Sequence, residues 1–184
     1  ENFKYEDGIR LIRGENISEG FIRWGSRSRF WESSNGLETF LLNKDDIVIG
    51  MDGSKVGKNV YQIRRDDLPL LLVQRICRIR TSNKTISKWI YMSLLSTRFQ
   101  KWVTLTKTDP LVPHITQKNI SDFKIFIPPI EELNQLIKDI QVKSNYLRKL
   151  IDLEEERLKL LREYRISLIS SVVTGKIRLT NDMI

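Results

Sequence analysis

The sequence predicts an α+β fold, in which a β-rich globular domain is followed by a long helix. Two contrasts between residues 1–127 and residues 128–184 support this prediction. The first region holds eight of the nine glycines and fourteen of the sixteen aromatic residues, and turn residues bound its short apolar runs. The second region has no glycine and no proline over 130–174, and its apolar residues recur at three- and four-residue steps. We therefore assign a globular domain to 1–127 and a helical region to 128–184.

The strands of the globular domain are predicted from short apolar runs that end at glycine or polar residues. Residues 8–14 alternate between two glycines and predict the first strand. Residues 47–49 follow two aspartates and end at Gly50, which is typical of a buried strand entering a turn. Further strands are predicted over 60–63 and 70–79. Arg75, Arg78 and Arg80 fall on or just beyond the last of these, and we expect at least one of them to pair with an acid.

The apolar period then changes, and one amphipathic helix is predicted over 85–102. Asn83 or Thr85 is a suitable N-cap for it. Residues 109–113 contain two prolines and predict a rigid loop, and 123–127 predict a last strand. The apolar positions that predict the helix are Ile86, Ile90, Leu94, Leu95, Phe99 and Trp102.

The helical region begins with a double proline followed by Glu131 and Glu132, and Gly175 is a suitable stop. At ~1.5 Å per residue a helix over 130–174 spans roughly 67 Å, which exceeds the diameter of the globular domain. Its apolar stripe predicts a coiled coil or a helical hairpin arm, and the alternative is a helix folded back on its own domain. The predicted interface residues are Leu133, Ile137, Ile140, Leu147, Ile151, Leu158, Leu161, Leu168 and Val172.

The positive charge of the chain is concentrated in the globular domain. Residues 1–127 hold 21 Lys and Arg against 14 Asp and Glu, whereas 128–184 hold 10 against 9. Phosphates attract such a surface, and binding releases counterions. The charge therefore favours a polyanionic partner, and the alternative is a basic domain without a role in nucleic-acid binding.

Several other classes of protein are excluded by composition and motif. No apolar run approaches the ~18 residues of a membrane-spanning helix, and Cys77 has no second cysteine to pair with. Cys77 and His114, the single cysteine and the single histidine, cannot make a zinc site. The glycine-rich stretch 50–58 lacks the spacing of a phosphate-binding P-loop. We expect a cytoplasmic protein with no catalytic constellation, no metal and no membrane partner; the absence of an initial Met suggests a portion of a longer chain.

Five segments, spread in order over nearly the whole chain, point to a known family. They are residues 12–20, 46–57, 114–129, 130–137 and 165–177. Together they resemble one half of the specificity subunit of type I restriction-modification enzymes. One departure lies after the double proline, where the family usually has Glu-Gln closer to the prolines than this chain does.

The resemblance implies a target recognition domain over 1–127 and a conserved helical spacer over 128–184. In this family each such domain reads one part of a split site in double-stranded DNA, and two halves are joined by antiparallel helices. The helices dock the modification subunits, which carry the methyl donor, and the restriction subunits supply ATP-driven cleavage. The resemblance thus implies a non-catalytic chain without its own cofactor that pairs with a second half. The apolar seam suggests the alternative that two copies of the chain pair antiparallel in a twofold dimer.

The DNA contacts are expected on loops, where arginine can pair with guanine and lysine can meet phosphate. Arg27 is our candidate for a base contact and Lys58 for a phosphate contact, and a solvated basic loop is the alternative for any single residue. The full candidate set is Arg23, Arg27, Arg29, Lys55, Lys58, Lys84, Lys107, Thr108, His114 and Lys118.

Two other functions are compatible with parts of the sequence. The first is a coiled-coil adaptor whose basic domain binds an acidic protein. The second is a nuclease or methyltransferase that acts alone. Salt-sensitive binding to duplex DNA with a preferred sequence distinguishes the recognition subunit from the adaptor.

Overall fold

The computed structural model describes residues 7–26, 28–108 and 111–178 and confirms an α+β fold. The chain divides into two compact units, Glu1–Asn134 and Gln135–Ile184. The strands are β1 (Ile9–Ile12), β2 (Ile17–Ser18), β3 (Phe21–Ile22), β4 (Phe30–Trp31), β5 (Ile47–Gly50), β6 (Val60–Gln62), β7 (Leu70–Leu72) and β8 (Ile76–Ile79). The helices are α1 (Lys84–Leu95), α2 (Thr97–Thr106), α3 (Gln117–Ser121) and α4 (Ile130–Val173).

The described strands of the first unit form three small sheets. The sheet β6-β5-β8 is antiparallel throughout, with Val48 opposite Tyr61 on one side and Arg78 on the other. In the sheet β4-β1-β7, β1 runs antiparallel to β4 and parallel to β7. Strands β2 and β3 make a short antiparallel pair. The central strand β5 therefore has a neighbour on both edges.

Strand β5 also separates two apolar clusters. Ile47 and Ile49 face the cluster that contains Phe99 of α2. Val48 faces the other cluster, which contains Tyr61. All four residues of β5 are buried, and successive side chains of a strand point to opposite faces. This double burial explains why β5 has a continuous apolar sequence rather than an alternating one.

The single helix predicted over 85–102 is wrong, because the structure contains two helices there. Helix α1 begins at its predicted N-cap, where the Asn83 side chain accepts hydrogen bonds from the backbone N–H groups of Thr85 and Ile86. Ser96 has an extended backbone conformation, and its hydroxyl accepts a hydrogen bond from the N–H of Phe99. Ser96 therefore ends α1 and caps α2.

Two of the predicted strands also differ. The strand predicted over 70–79 is divided into β7 and β8 by a turn in which Arg75 has a φ of 63°. Residues 123–127 form no strand. Phe123 is buried beside Phe99, whereas Phe126 is exposed and its carbonyl accepts a hydrogen bond from the Trp89 indole N–H. The buried Phe123 side chain and the Phe126 carbonyl therefore anchor an irregular connection.

Helix α4 is continuous over 44 residues, a length of about 66 Å at ~1.5 Å per residue, as predicted. Leu133 and Ile137 of the predicted interface are buried within the single chain, and Val172 is partly buried. The exposed members of that interface are Ile140, Leu147, Ile151, Leu158, Leu161 and Leu168. The coiled coil itself stays a prediction. No helix in the described part of the chain is long and apolar enough to span a membrane.

Candidate nucleic-acid interface

A polar cleft of about 540 Å³ lies in the first unit. Four chain segments line it: the segment 13–23, the glycine turn, which we define as residues 51–58, together with the adjoining Asn59, the turn between β7 and β8, and Val112. The cationic residues of its lining are Arg13, Arg23, Lys55 and Arg75. Two of these four, Arg23 and Lys55, belong to the set predicted from the sequence.

Backbone hydrogen bonds hold the glycine turn in this position. The N–H of Met51 donates to the carbonyl of Arg75 over 3.0 Å, and the N–H of Gly53 donates to the carbonyl of Pro113 over 2.9 Å. Gly57 has a φ of 85°, and a Cβ at this position would lie 2.9 Å from the side chain of Val103 on α2. Glycine at position 57 therefore permits both the left-handed backbone and the close approach to α2.

Three predicted cations act on one carboxylate, that of Glu19, which binds Lys55 of the cleft lining. The Nζ of Lys55 is 2.7 Å from the Oε2 of Glu19. The hydrogen bond and the charge of Lys55 lower the pKa of Glu19 below its ordinary value, and Lys58 and Arg23 act in the same direction. The structure thus brings Arg23, Lys55 and Lys58 together, although they are separated by up to 35 positions in the sequence.

Arg23 is positioned by a buried side chain that the sequence analysis did not single out. The Asn16 Nδ2 group donates to the carbonyl of Arg23 over 3.0 Å, and the N–H of Arg23 donates to the carbonyl of Asn16 over 2.7 Å. The Oδ1 atom of Asn16 also accepts from the N–H of Arg13. Asn16 therefore connects the backbones of two cleft arginines. The Arg23 guanidinium lies 5.2 Å from the ring centre of Phe21, where cation–π attraction favours it.

Carboxylates accompany most of the cations at the cleft. Salt bridges join Arg13 to Glu15, Lys55 to Glu19, and Arg75 to Asp52. In the described part of the chain, Arg23 and Lys58 form no salt bridge. The four cations of the lining and Lys58, which acts on Glu19, therefore outnumber the three carboxylates, and the excess charge of the site is positive.

The predicted residues Lys107, Thr108 and His114 flank residues 109–113, of which Val112 lines the cleft. The N–H and carbonyl groups of Thr108 and His114 bond to each other over 3.0 and 3.2 Å. The Thr108 Oγ1 atom is 2.8 Å from the Nε2 atom of His114. His114 is also bridged to Asp52 of the glycine turn. Lys107 is the C-cap of α2. The two ends of the loop are thus fastened next to the glycine turn.

The other predicted contacts do not line the cleft. Arg29 donates hydrogen bonds to the carbonyls of Ser26 and Ser28, within its own loop. Lys84 is the first residue of α1, and Lys118 on α3 forms a salt bridge of 2.8 Å with Asp122. Arg27 lies outside the described residues.

The sequence comparisons place these observations in a family. Residues 3–163 match the profile of the type I restriction modification DNA specificity domain. The chain belongs to this family. It is 26% identical over 187 residues to the MjaVIII type I restriction enzyme specificity subunit of Methanocaldococcus jannaschii, covering 97% of this chain and 43% of that protein. It is 28% identical over 137 residues to the EcoAI specificity subunit of Escherichia coli, covering 71% of this chain and 23% of that protein. The chain thus spans less than half the length of both relatives.

Among the charged residues that line this specificity domain's cleft, the predicted set omits Arg13, Glu15, Asp52 and Arg75. The expectation that an arginine of the 75–80 segment pairs with an acid is confirmed twice. Arg75 contacts Asp52, and Arg80 binds the buried carboxylate of Asp46 through two hydrogen bonds of 2.6 and 2.7 Å. The hydrogen bond with Asp46 raises the pKa of Arg80. Arg80 therefore stabilises the fold of the specificity domain.

No group of three or more His, Cys, Asp or Glu side chains suited to a metal ion occurs among the described residues of this specificity domain. Cys77 is buried on β8, and burial raises the pKa of its thiol. A thiol with a raised pKa is mostly protonated at neutral pH and is a poor nucleophile. The arginine and lysine side chains of the cleft can bind anions and donate hydrogen bonds.

Proposed function

We propose that this chain is the DNA-reading half of a type I restriction-modification specificity subunit, which recognises one part of a split site through the cleft of its first unit. The observation that carries the proposal is the convergence of five cations on turns and loops of a specificity domain. Arg23 and Lys58 form no salt bridge in the described part of the chain, so DNA need not displace a carboxylate to reach them. Counterion release at such a surface supplies affinity for duplex DNA of any sequence.

Sequence preference requires side chains that reach base edges as well as cations that meet phosphates. Arginine can pair with the O6 and N7 atoms of guanine through two hydrogen bonds, whereas lysine offers a single ammonium group. We therefore assign Lys55 and Lys58 to the backbone and Arg23 to a base edge. The backbone of Arg23 is held by Asn16, which limits the entropy lost when Arg23 binds.

The exposed stripe of α4 supports a second part of the proposal. Leu147, Ile151, Leu158 and Leu161 are each more than half exposed, and their spacing follows a heptad seam. We propose that this stripe pairs with the helix of a second specificity half or of a second copy, and that the helical region docks the modification and restriction subunits. The methyl donor and ATP would then be bound by those partner subunits.

The DNA-binding proposal is tested by selecting preferred duplexes from a random pool with the full chain, with and without the modification subunit. Binding of the selected duplex should weaken as salt rises. Lys58→Ala should weaken binding to all duplexes and make the slope of log K against log salt shallower by about one unit. Lys143→Ala, a change at an exposed lysine of the second unit, is the matched control and should leave the slope unchanged. Binding without sequence preference would refute the proposal and leave the adaptor function.

The pairing proposal is tested by light scattering of the purified chain. We expect a dimer whose dissociation constant rises strongly in Ile151→Asp, because the substitution places a charge in the apolar seam. Asp152→Asn, a change at the neighbouring position outside the predicted seam, is the control. A monomer at high micromolar concentration would refute the homodimer and require a second specificity half as the partner.

A further inference from the structure

The turn between β7 and β8 carries two exposed side chains, Gln74 and Arg75, at the boundary between two clefts. On one side is the polar cleft already described. On the other side is an apolar cleft of about 510 Å³ whose lining includes Trp31, Phe40 and Met51. Gln74 and Arg75 line both clefts, so the turn forms the ridge between them.

The backbone of this ridge is fixed in an unusual conformation. Arg75 has a φ of 63°, which residues with a Cβ rarely adopt and which glycine would adopt without strain. Its carbonyl accepts a hydrogen bond from the N–H of Met51, and the next residue, Ile76, pairs with Gly50 of β5. Since strained conformations cluster at binding sites, an arginine at this position points to a role for its side chain.

Asp52 contacts the guanidinium of Arg75 through one of its three nitrogens. The Arg75 Nη1 atom is 2.6 Å from the Asp52 Oδ2 atom, and the arginine side chain is 69% exposed whereas the aspartate side chain is 24% exposed. The backbone of Asp52 is in turn bridged to His114. Across the described residues, Nε and Nη2 of Arg75 have no protein partner. The guanidinium is therefore oriented by Asp52 and presents its remaining donors to a ligand.

The pairing with Asp52 determines which part of a duplex suits Arg75. A phosphate that approached the guanidinium would also approach the Asp52 carboxylate, and the two negative charges repel each other. The major-groove edge of guanine is uncharged and offers two acceptors, O6 and N7, to the donors of one arginine. Because the arginine is already oriented, it loses little side-chain entropy when it forms these hydrogen bonds.

We propose that Arg75 reads a guanine in the DNA target and that Asp52 is its positioning residue. This inference rests on the proposed function and names a determinant of sequence preference within it. Asp52 sets the direction of the guanidinium and disfavours a phosphate in the same place.

The test measures binding of the full chain to its selected duplex and to duplexes in which each guanine is replaced singly. Arg75→Ala and Arg75→Lys should each lose about 5- to 150-fold of preference at one guanine and none at the others. The salt slope should stay unchanged, because no phosphate contact is removed. Asp52→Asn should reduce the preference at that same guanine while it tightens binding to all duplexes.

Arg78→Ala is the matched control, because Arg78 lies three residues away and donates to the backbone carbonyls of Thr39 and Leu41. It should change the preference at no position. Unchanged preference in both Arg75 variants would overturn the inference, as would a uniform loss with a shallower salt slope, which indicates a phosphate contact. A wild-type chain without any sequence preference would refute the proposed function as well, so the two failures are distinguishable.

Discussion

The salt bridge between Lys55 and Glu19 leads to a prediction about affinity for duplex DNA. Removal of the carboxylate should raise this affinity, whereas removal of a lysine should lower it. Lys55 and Glu19 are close to half exposed, so a phosphate can reach the ammonium group only in competition with the carboxylate. Glu19→Gln removes that competitor and retains the size of the side chain. We expect the variant to bind duplex DNA more tightly than the wild-type chain at 50 mM salt.

The size of the effect follows from counterion release. One additional cation that fully neutralises a phosphate steepens the slope of log K against log salt by about 0.9. Between 50 and 200 mM salt, Glu19→Gln should therefore lose about 3.5-fold more affinity than the wild-type chain loses. Lys55 holds the pKa of Glu19 below its ordinary value, so the carboxylate keeps its charge from pH 5 to pH 8 and the difference should persist across that range.

Binding is measured by fluorescence anisotropy with a labelled duplex at five salt concentrations. Glu163→Gln is the control, because it changes the net charge equally at a carboxylate that lies 4.0 Å from Lys159 on α4. An equal gain in the two variants would show that net charge alone governs the affinity. A loss of affinity in Glu19→Gln would show that Glu19 orients Lys55 or contacts the DNA, and it would refute our reasoning.

Three further predictions concern the stability of the first unit, each measured by urea unfolding. Arg80→Met should lower the free energy of unfolding by roughly 3 kcal/mol, because it leaves the carboxylate of Asp46, which is 1% exposed, without its cation. Burial and the hydrogen bond to Asp67 raise the pKa of Tyr61 to about 12. The unfolded chain releases this proton near pH 10, so the free energy of unfolding should fall from pH 10 to pH 12, and Tyr61→Phe should remove that part of the decline. Gly57→Ala should cost about 1–3 kcal/mol, because its methyl group overlaps a side chain of α2.

Each stability prediction has its own contradicting result. Arg78→Met removes an arginine whose hydrogen bonds to described residues all go to backbone carbonyls, and a loss of unfolding free energy equal to that of Arg80→Met would show that burial of Asp46 is not decisive. If the free energy of unfolding fell equally from pH 10 to pH 12 in the wild-type chain and in Tyr61→Phe, the loss of stability would belong to other titrating groups. An unchanged midpoint in Gly57→Ala would show that the glycine turn moves away from α2 without cost.

The secondary-structure elements that could be predicted are those in which the pattern of buried and exposed side chains stays regular along the whole element. Strand β5 is buried on both faces, so its sequence is apolar at every position, and α4 combines a long apolar period with a proline-rich start and a glycine stop. The break at Ser96 could not be predicted from periodicity, because the helices on both sides of it place apolar residues against the same cluster. The signal at Ser96 is a capping hydroxyl, which is common in sequences and weak on its own.

In the candidate site, some residues could be recognised from a local sequence pattern, whereas others are brought together only by contacts between distant parts of the chain. Lys55 and Lys58 lie in a turn that glycines mark in the sequence, and this pattern is sufficient to predict them as candidate DNA contacts. Arg75 and Asp52 are 23 positions apart, and their contact depends on the pairing of β5 with β8 rather than on any spacing. Asn16 is a common polar residue in the sequence, and its importance becomes visible only from its burial and its hydrogen bonds to Arg13 and Arg23.

The enclosed position of β5 has a consequence for engineering the choice of target. Its backbone continues directly into the glycine turn and lies beside the ridge that holds Arg75. The buried residues of β5 are thus distinct from the exposed Arg75 and Lys55 of the two adjoining turns, although they are neighbours in the structure. New binding preferences should be obtainable from libraries that vary the exposed positions of the glycine turn and of the turn between β7 and β8 while Gly57 and the strands stay unchanged.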